Sequence, residues 1–414
     1  MLNTLNDVLN NVDNFIWGMP LIILILFTGI LLTVRLRGLQ IRHLGKALHY
    51  VFHNEDDGEG EVTSFGALCT ALSATIGTGN IVGCATAIVA GGPGALFWMW
   101  LAAFFGMATK YAEGMLAVKY RVIAEDGHAL GGPFYYIEKG MGKNFKWLAK
   151  LFCVFGTMVG LFGIGTFTQV NGITSAVNNF FDPSNVHTIS LFGMNYSISV
   201  VVAGIIVTIC AGLVIIGGIK RISKVSEVIV PFMAVTYIGV CLIIVFTHLP
   251  QVPAAFAEIV QSAFGLKAVA GGAIGAMTVA MQKGIARGIF SNEAGLGSAP
   301  IAAAAAQTNE PVRQGLVSMT GTFIDTIIVC TMTGLAIVMT GAWDMGLEGV
   351  AVTTKAFALG LPFPAKASAF VLMMCLVFFA FTTILGWAYY SERCLEYLVN
   401  GKKFVITAFK WFYI

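Results

Sequence analysis

The sequence predicts an all-α protein that crosses a membrane many times, and three observations support this fold class. The chain has 414 residues, of which 57% are apolar and only 11% are charged, whereas soluble domains carry about 25% charged residues. Its mean hydropathy is +0.82. Apolar runs long enough to span a bilayer recur along its whole length. These features exclude a soluble enzyme, a disordered protein and a nucleic-acid binder, and we interpret residues 1–414 as one transmembrane domain.

The individual spans are predicted from runs of about 20 apolar residues, the length that a helix needs to cross the hydrocarbon core. The leader of the first run carries acidic residues but no Lys or Arg, so this run is predicted to be a helix and not a signal peptide. A tenth run begins near Phe404. The nine predicted spans are 17–34, 64–90, 94–118, 147–180, 197–218, 228–249, 262–290, 312–341 and 366–398.

Basic residues are concentrated in alternate loops between the predicted spans. Most of the 24 Lys and Arg residues fall on one side of the predicted bundle, and this set includes Lys283 and Arg287 at the end of the seventh span. Only Lys267, Lys355 and Lys366 fall in loops on the other side. Because cytoplasmic loops carry the excess of Lys and Arg, the N-terminus is predicted to lie outside.

The second predicted span contains glycines at its centre, in the stretch Gly77-Thr78-Gly79-Asn80. Each Gly weakens a helix by about 1 kcal/mol relative to Ala. Open backbone at this depth is tolerated only where it is buried in protein or lines a cavity. The alternative is close helix packing through Gly79-x-x-x-Gly83. We favour an unwound segment that binds a ligand.

The seventh predicted span contains a similar glycine-rich stretch at residues 270–278. Interrupted spans at corresponding positions of two halves are typical of the binding site of a secondary transporter. The halves would begin at Ser64 and Gln261 with five spans between these points, an odd number, so the second half would be inverted in the membrane. The predicted organisation is an extra helix at 17–34, a first repeat at 64–249 and an incomplete second repeat at 261–414.

The stretch from Lys283 to Pro300, KGIARGIFSNEAGLGSAP, resembles the alanine or glycine:cation symporter family, and residues 71–83 and 131–136 agree with it. The resemblance covers essentially the whole chain. It implies uptake of small neutral amino acids, alanine or glycine, driven by sodium or protons across the plasma membrane of a prokaryote. It also implies the five-plus-five inverted repeat of the bacterial leucine transporter, with an extra N-terminal helix and without the last helix of the second repeat.

An amino-acid substrate is a zwitterion, so its site needs a positive pole and a set of acceptors. The start of a half-helix offers free N–H groups and the positive end of the helix dipole. By the resemblance, the amides of Thr78 and Gly79 hold the carboxylate and the carbonyls of Ala74 and Thr75 face the ammonium group. The second glycine-rich stretch is predicted to form the opposite wall with Gly272, Ala273, Ile274 and Met277.

Three further residues are candidates for contact with the substrate. Gln169 and Asn171 lie in the fourth span, where buried amides need hydrogen-bond partners. The substrate is one candidate partner, and other groups of the bundle are the alternative. Trp387 lies one turn after Thr383 in the ninth span, where its bulk would shorten the pocket in favour of Gly or Ala; a packing role is the alternative.

The ninth span also carries a candidate sodium site at Thr382 and Thr383. Two adjacent hydroxyls with a carbonyl three residues earlier resemble the leucine-transporter pattern for an ion bound between this helix and the first broken helix. The alternative is that both hydroxyls bond to the preceding turn of their own helix. The ligands implied are the carbonyls of Ser73, Ile76 and Phe379 and the hydroxyls of Thr382 and Thr383.

Asp325 lies in the middle of the eighth span, and an intramembrane carboxylate is a functional hypothesis by default. It is interpreted either as an ion or proton site or as a structural partner. Lys110 and Glu113 form an i, i+3 pair that is interpreted as structural.

The sequence disfavours two other classes of function. A membrane enzyme is disfavoured because the chain has no H-E-x-x-H, G-x-S-x-G or Cys/His cluster, and a channel because its polar residues gather at the breaks.

Overall fold

The computed structural model describes residues 2–54, 58–124, 127–191, 193–265 and 272–414. This part of the chain is a helical bundle with two short antiparallel hairpins, so the predicted all-α class with several apolar helices is confirmed. The first hairpin pairs β1 (Val122–Ile123) with β2 (Ala129–Leu130), and the second pairs β3 (Thr188–Leu191) with β4 (Met194–Ser197).

The first half of the chain contains twelve α-helices in its described residues. Two π-helices interrupt it, at Gly79–Gly83 and Ile137–Met141. The α-helices are α1 (Leu2–Ile16), α2 (Met19–Arg35), α3 (Leu39–Arg42), α4 (Leu44–Phe52), α5 (Ser64–Thr75), α6 (Cys84–Gly91), α7 (Gly94–Tyr120), α8 (Pro133–Tyr136), α9 (Lys146–Phe162), α10 (Phe167–Phe181), α11 (Ile198–Ile215) and α12 (Gly218–Thr247).

The second half continues the bundle, and a long π-helix at Phe323–Cys330 lies between two of its α-helices. Short 3-10 turns connect some of the helices, at Lys143–Phe145, Leu249–Gln251 and Ala342–Asp344. The α-helices of this half are α13 (Val252–Ala263), α14 (Ala273–Asn292), α15 (Ala299–Ala303), α16 (Pro311–Thr322), α17 (Thr331–Met339), α18 (Val350–Gly360), α19 (Ala365–Leu398) and α20 (Lys403–Tyr413).

Among the described residues, five helical segments are long and apolar enough to cross a membrane. A sixth is the bent pair of α5 with the helical segment 79–91, whose axes differ by 53°. The bend occurs where the second span was predicted to be interrupted. It begins at Ile76, whose backbone is extended with φ −77° and ψ 94°.

The fourth predicted span, 147–180, corresponds to the helical segment Lys143–Phe181, which is long and apolar enough to cross a membrane. It is interrupted at residues 163–166, between α9 and α10. The reason is a close approach to α19: a Cβ at Gly165 would lie 2.7 Å from the Cβ of Trp387 and 2.9 Å from the Cα of Gly160. Only glycine fits between these two helices, and the chain turns there.

The seventh span was predicted to be interrupted at 270–278, and this prediction is wrong for the part that the structure describes. Helix α14 is continuous from Ala273 to Asn292, while residues 270 and 271 lie outside the described residues. The interruption instead follows Asn292, in the unwound segment 293–298, which we call the second break. Backbone conformation explains this position, because positive φ values stop a helix. They occur at Glu293 (55°), Gly295 (90°) and Gly297 (77°).

Helix α14 runs antiparallel to α6, which changes the predicted position of two basic residues. A Cβ at Gly91 would lie 3.1 Å from the Cα of Ala280 and 3.3 Å from the Cβ of Lys283. Gly79, at the other end of this stretch, faces Ser291 instead. Lys283 and the neighbouring Arg287 therefore lie in the half of the bundle opposite Ser64, not on the side to which the sequence assigned them.

Candidate functional site

In the first break, residues 76–79, two side chains accept hydrogen bonds from backbone N–H groups that the interrupted helix leaves open. The N–H of Gly77 donates to Oδ1 of Asn80 at 2.9 Å. The N–H of Thr78 donates to Oε1 of Gln169 at 3.4 Å, and Nε2 of Gln169 donates to the carbonyl of Ile164 at 3.1 Å. The structure therefore brings Thr78 together with Gln169, which is almost fully buried.

Asn171 has a different environment although it follows Gln169 by only two residues. Successive helix residues are about 100° apart, so two residues two positions apart face nearly opposite directions. Asn171 is exposed, and its Oδ1 accepts a 3.5 Å hydrogen bond from Ser175 on its own helix. The structure does not bring Asn171 to the break.

The wall opposite Gly79 is formed by the end of α14. A Cβ at Gly79 would have Cδ1 of Phe290 and the Cα of Ser291 as its nearest neighbours, both at 3.8 Å. The predicted wall is corrected accordingly. Ile274 is 77% exposed, and at 1.5 Å per helical residue it lies about 25 Å along the axis from Ser291. The same correction applies to Gly272, Ala273 and Met277, which share the first turns of α14 with Ile274.

The residues of the predicted sodium site lie where α5 approaches α19. The hydroxyl of Thr383 donates to the carbonyl of Ile76 at 3.4 Å and to that of Phe379 at 3.0 Å. The hydroxyl of Thr382 donates to the same Phe379 carbonyl at 3.0 Å and lies 3.5 Å from Sδ of Met233. Both hydroxyls therefore bond to the preceding turn of α19, as in the alternative interpretation, and Thr383 in addition reaches Ile76. Ser73, one turn before Ile76, is fully buried and its hydroxyl donates to Thr70.

This arrangement fits a monovalent cation. The last carbonyls of a helix have no partner within the helix and carry the negative end of its dipole, and α5 ends beside these hydroxyls. Neutral oxygens suit hard cations. Ala74 also lies close to α19, since a Cβ at Gly386 would lie 2.7 Å from its Cβ. Thr75, on the other side of α5, donates its hydroxyl to the carbonyl of Ala71 at 3.2 Å.

A buried hydrogen-bond network connects the two breaks through Asp325, and the sequence did not predict its partners. Nδ2 of Asn80 donates to Oδ1 of Asp325 at 2.7 Å. The hydroxyls of Ser291 and Thr326 donate to Oδ2 at 2.8 and 2.7 Å. Asn80 and Ser291 lie in the two motifs that carry the resemblance, and this shared position was the feature of the sequence from which they could have been predicted as partners. Asp325 thus joins the first break, α14 and the π-helix 323–330.

The second break is held by polar contacts at both of its ends. The N–H of Ala294 donates to Oδ1 of Asn292 at 2.9 Å, and Nδ2 of Asn292 donates to Thr326 at 3.0 Å. The N–H of Gly297 donates to Oε1 of Glu113 at 3.2 Å. Trp387 flanks this break, since it lines a cavity of about 370 Å³ together with Glu293. Its ring packs edge-on against Tyr390, with centroids 5.6 Å apart.

The chain resembles known proteins over nearly its whole length. The model of the sodium:alanine symporter family matches residues 2–414. A sodium/alanine symporter of Methanococcus maripaludis is 45% identical, over 97% of this chain and 87% of its own length. Two Bacillus subtilis proteins are each 38% identical. One is a probable sodium/glutamine symporter, covering 98% of this chain and 80% of its own length. The other is a putative sodium/proton-dependent alanine carrier, covering 96% and 80%.

Both the whole-length family match and relatives well above 30% identity identify the family. The chain belongs to the sodium:alanine symporter family, and it is a cation-coupled amino-acid transporter of the membrane and not an enzyme.

Proposed function

We propose that this protein couples the entry of sodium to the uptake of a small neutral amino acid, alanine or glycine, by alternating access. The observation that carries the proposal is the shared backbone of the first break. Within three residues, the Ile76 carbonyl meets Thr383 and the Thr78 amide meets Gln169. Groups suited to a cation and groups suited to a carboxylate therefore lie on one short segment, and binding at either alters the other.

The proposed substrate position follows from the polarity of the broken helix. The carboxylate would bind the N–H groups of Thr78 and Gly79, displacing the long contact that Gln169 makes with Thr78. The ammonium group would face the carbonyls of Ala74 and Thr75 at the end of α5. The space beside Gly79, bounded by Phe290 and Ser291, would receive a small side chain.

The proposed sodium position is between α5 and α19. The carbonyls of Ser73, Ile76 and Phe379 and the hydroxyls of Thr382 and Thr383 would supply five neutral oxygens. Thr383 already contacts Ile76, whereas the hydroxyl of Thr382 would have to rotate away from Met233. Sodium bound there would hold α19 against the first broken helix, so the ion would stabilise the conformation that binds substrate.

We also propose that the protein resides in the plasma membrane of a prokaryote with its N-terminus outside. The orientation is supported by the basic residues of the predicted cytoplasmic loops. Lys283 and Arg287 no longer belong to this group, but the other members still lie on one side of the predicted bundle. Arg35, Arg37 and Arg42 follow the extra helix α2 on this side. The five-plus-five inverted repeat belongs to the same proposal.

The test is uptake of labelled alanine into proteoliposomes with and without an inward sodium gradient at fixed pH. We expect sodium to stimulate uptake in the wild-type protein. The double variant Thr382→Val, Thr383→Val keeps the side-chain shape and deletes two ligand oxygens, so its stimulation by sodium should vanish. Thr340→Val is the matched control, because among the described residues that hydroxyl bonds to the carbonyls of Ala336 and Ile337 in its own helix.

Undiminished sodium dependence in the double variant would contradict the proposed ion site. Competition by unlabelled glycine and glutamine then tests the substrate. The alternative function is a proton-coupled or exchange carrier for another small amino acid. The relative named as a sodium/glutamine symporter favours another amino acid, and the relative named as a sodium/proton-dependent alanine carrier favours a role for protons. The alternative function would be preferred if glutamine displaced alanine at much lower concentration, or if uptake proceeded equally without sodium.

A further inference from the structure

Two buried carboxylates that the proposed function does not use each accept a hydrogen bond from the second break. Glu113 on α7 is 8% exposed and Glu293 is 2% exposed. Oε1 of Glu113 accepts a hydrogen bond from the N–H of Gly297 at 3.2 Å, and Oε2 of Glu293 accepts one from the hydroxyl of Ser298. The two carboxylates therefore hold the same short unwound segment, one from α7 and one from within it.

The charge of this cluster is not balanced. Lys110 lies one turn before Glu113, is 3% exposed, and acts electrostatically on both Glu113 and Glu293. Its Nζ has no hydrogen-bond partner among the described residues. One ammonium group facing two carboxylates leaves one negative charge. Burying an uncompensated charge is strongly unfavourable, so a further positive charge is needed to stabilise the cluster.

Neighbouring elements do not supply that charge in the described part of the chain. The titratable groups facing the two carboxylates are Asp325 on the π-helix 323–330, Tyr136 on α8 and Tyr390 on α19. These add an acid and two phenols. The α5, α15 and α16 residues that surround Lys110 include Thr75, Gln314 and Ser318, which are neutral.

We propose that Glu113 and Glu293 share one proton, which is bound while the two carboxylates are together and released when the second break moves and separates them. Oε2 of Glu113 is buried and makes no hydrogen bond to the described residues, so it is the position for the O–H bond. The proton comes from water and returns to water. A cavity of about 10 Å³ beside Lys110 has space for about one water molecule.

The separation of the carboxylates gives the direction of the coupling. Together they carry two negative charges against one Lys110, and the shared proton makes these three side chains neutral. The nearby Asp325 carboxylate is stabilised separately, because Asn80, Ser291 and Thr326 donate hydrogen bonds to it. If the second break swings away with Glu293, Glu113 remains paired with Lys110 and Glu293 reaches water as a carboxylate. The proton is then no longer required. This inference rests on the proposed function only in assuming that the second break moves during transport.

The experiment measures protons directly in the full chain. In weakly buffered detergent solution, a pH dye records protons released or taken up when sodium and alanine are added. In vesicles, sodium-driven alanine uptake is followed from mildly acidic to mildly alkaline pH. We expect the wild-type protein to release or take up protons when sodium and alanine are added, and we call this proton exchange. Glu113→Gln should lose it and give a flat pH profile, because its amide still accepts from Gly297 but the remaining Lys110 and Glu293 are already neutral together.

Glu138→Gln is the control, since Glu138 binds Lys146 and Tyr397 outside this cluster; it should keep the wild-type profile. Glu293→Gln should repeat the loss, and it replaces Glu113→Gln if that variant does not elute as a monodisperse protein. A wild-type protein without proton exchange, or a pH profile unchanged in both Gln variants, would overturn the proton site. Proton exchange that persists in a protein without sodium-driven alanine uptake would overturn the proposed function alone.

Discussion

Gly77 and Gly79 are only two residues apart, yet the structure gives them different roles. A Cβ at Gly77 would lie 2.4 Å from Oγ1 of Thr383, whereas the nearest atoms to a Cβ at Gly79 are 3.8 Å away. Gly77 is therefore required for α19 to approach the first break. Gly79 instead leaves open the space that we assign to the substrate. The difference can be tested because alanine adds only one carbon at either position.

We predict that Gly77→Ala weakens sodium coupling more than Gly79→Ala does. The new Cβ must displace the Thr383 hydroxyl from the Ile76 carbonyl. Losing a hydrogen-bonding contact of about 1.4 kcal/mol corresponds to about tenfold in affinity. The sodium concentration for half-maximal alanine uptake should rise by that order in Gly77→Ala and remain within a few-fold of wild type in Gly79→Ala.

Gly83→Ala serves as the control, since a Cβ there meets open space.

Gly79→Leu tests the substrate position separately. Its side chain would fill the space facing Phe290 and Ser291, so alanine binding should be lost while the protein still elutes as one species. Equal sodium dependence in Gly77→Ala and Gly79→Ala would show that the α19 contact does not contribute to ion binding.

Trp387 provides a second prediction at the level of one residue. If its indole limits the length of the substrate side chain, Trp387→Ala should allow valine and leucine to compete with labelled alanine. Each buried methylene contributes about 0.8 kcal/mol, so two or three added carbons would improve competition by about tenfold or more. Alanine itself should bind more weakly in the enlarged space. An unchanged order of competition would assign Trp387 to packing against Tyr390.

The behaviour of single polar residues explains what the sequence could predict at the site. The sequence predicts partners for Gln169 and Asp325, because polar groups deep in apolar spans need them, and both residues lie in buried networks. Asn171 satisfied the same criterion but is exposed. Hydrophobic runs give the depth of a residue in the membrane and not the side of the helix that faces the bundle.

At the scale of elements, the breaks show why glycine content alone misplaced the second interruption. Gly272 immediately precedes α14 and Gly275 lies within its first turn, where the helix is continuous. A Cβ at Gly275 would meet open space. The segment 293–298 breaks because Glu293, Gly295 and Gly297 adopt positive φ. These conformations are fixed by tertiary contacts such as that of Gly297 with Glu113, which a single sequence does not reveal.

The end of α7 is joined to two other segments by Arg121. Its guanidinium donates to the carbonyls of Ala304 and Ala306 at 2.9 and 2.6 Å, and to those of Glu59 and Thr308 at 2.6 and 2.7 Å. The chain before α5 and the chain after α15 also pair directly, through a parallel bridge of Val62 with Ala306. These contacts tie the beginning of the first broken helix to the end of the second.

We predict that Arg121→Ala destabilises the protein by about 2 kcal/mol or more, because charge-assisted hydrogen bonds contribute about 1.5–3 kcal/mol each and several carbonyls lose their donor. Lys cannot reproduce the planar fork, so Arg121→Lys should restore only part of this stability. The measurement is the thermal unfolding midpoint in detergent. Lys119→Ala, an exposed position two residues earlier, should change the midpoint little; equal effects of the two Ala variants would show that the four contacts do not stabilise the protein.

At the scale of the whole molecule, three interruptions of the bundle converge. The break between α9 and α10 supplies the Ile164 carbonyl that holds Gln169, and Gln169 in turn reaches Thr78 in the first break. Asp325 connects Asn80, at the start of the half-helix that follows the first break, to Ser291 at the end of α14. The three breaks are therefore connected by hydrogen bonds as well as by apolar packing.

This connection predicts that sodium and alanine bind with reciprocal coupling. If sodium between α5 and α19 raises the affinity for alanine by some factor, alanine must raise the affinity for sodium by the same factor, since both belong to one thermodynamic cycle. A coupling of about 1–3 kcal/mol, typical of linked sites, corresponds to a factor of about 5–150.

Calorimetric titration of alanine at low and saturating sodium, and of sodium at low and saturating alanine, measures both factors. In Thr383→Val both should fall towards one together, because the contact with Ile76 that links the ion to the first break is removed. Two factors that are equal but unchanged in this variant would place the coupling elsewhere in the bundle, with the Asn80–Asp325–Ser291 network as the next connection to interrupt.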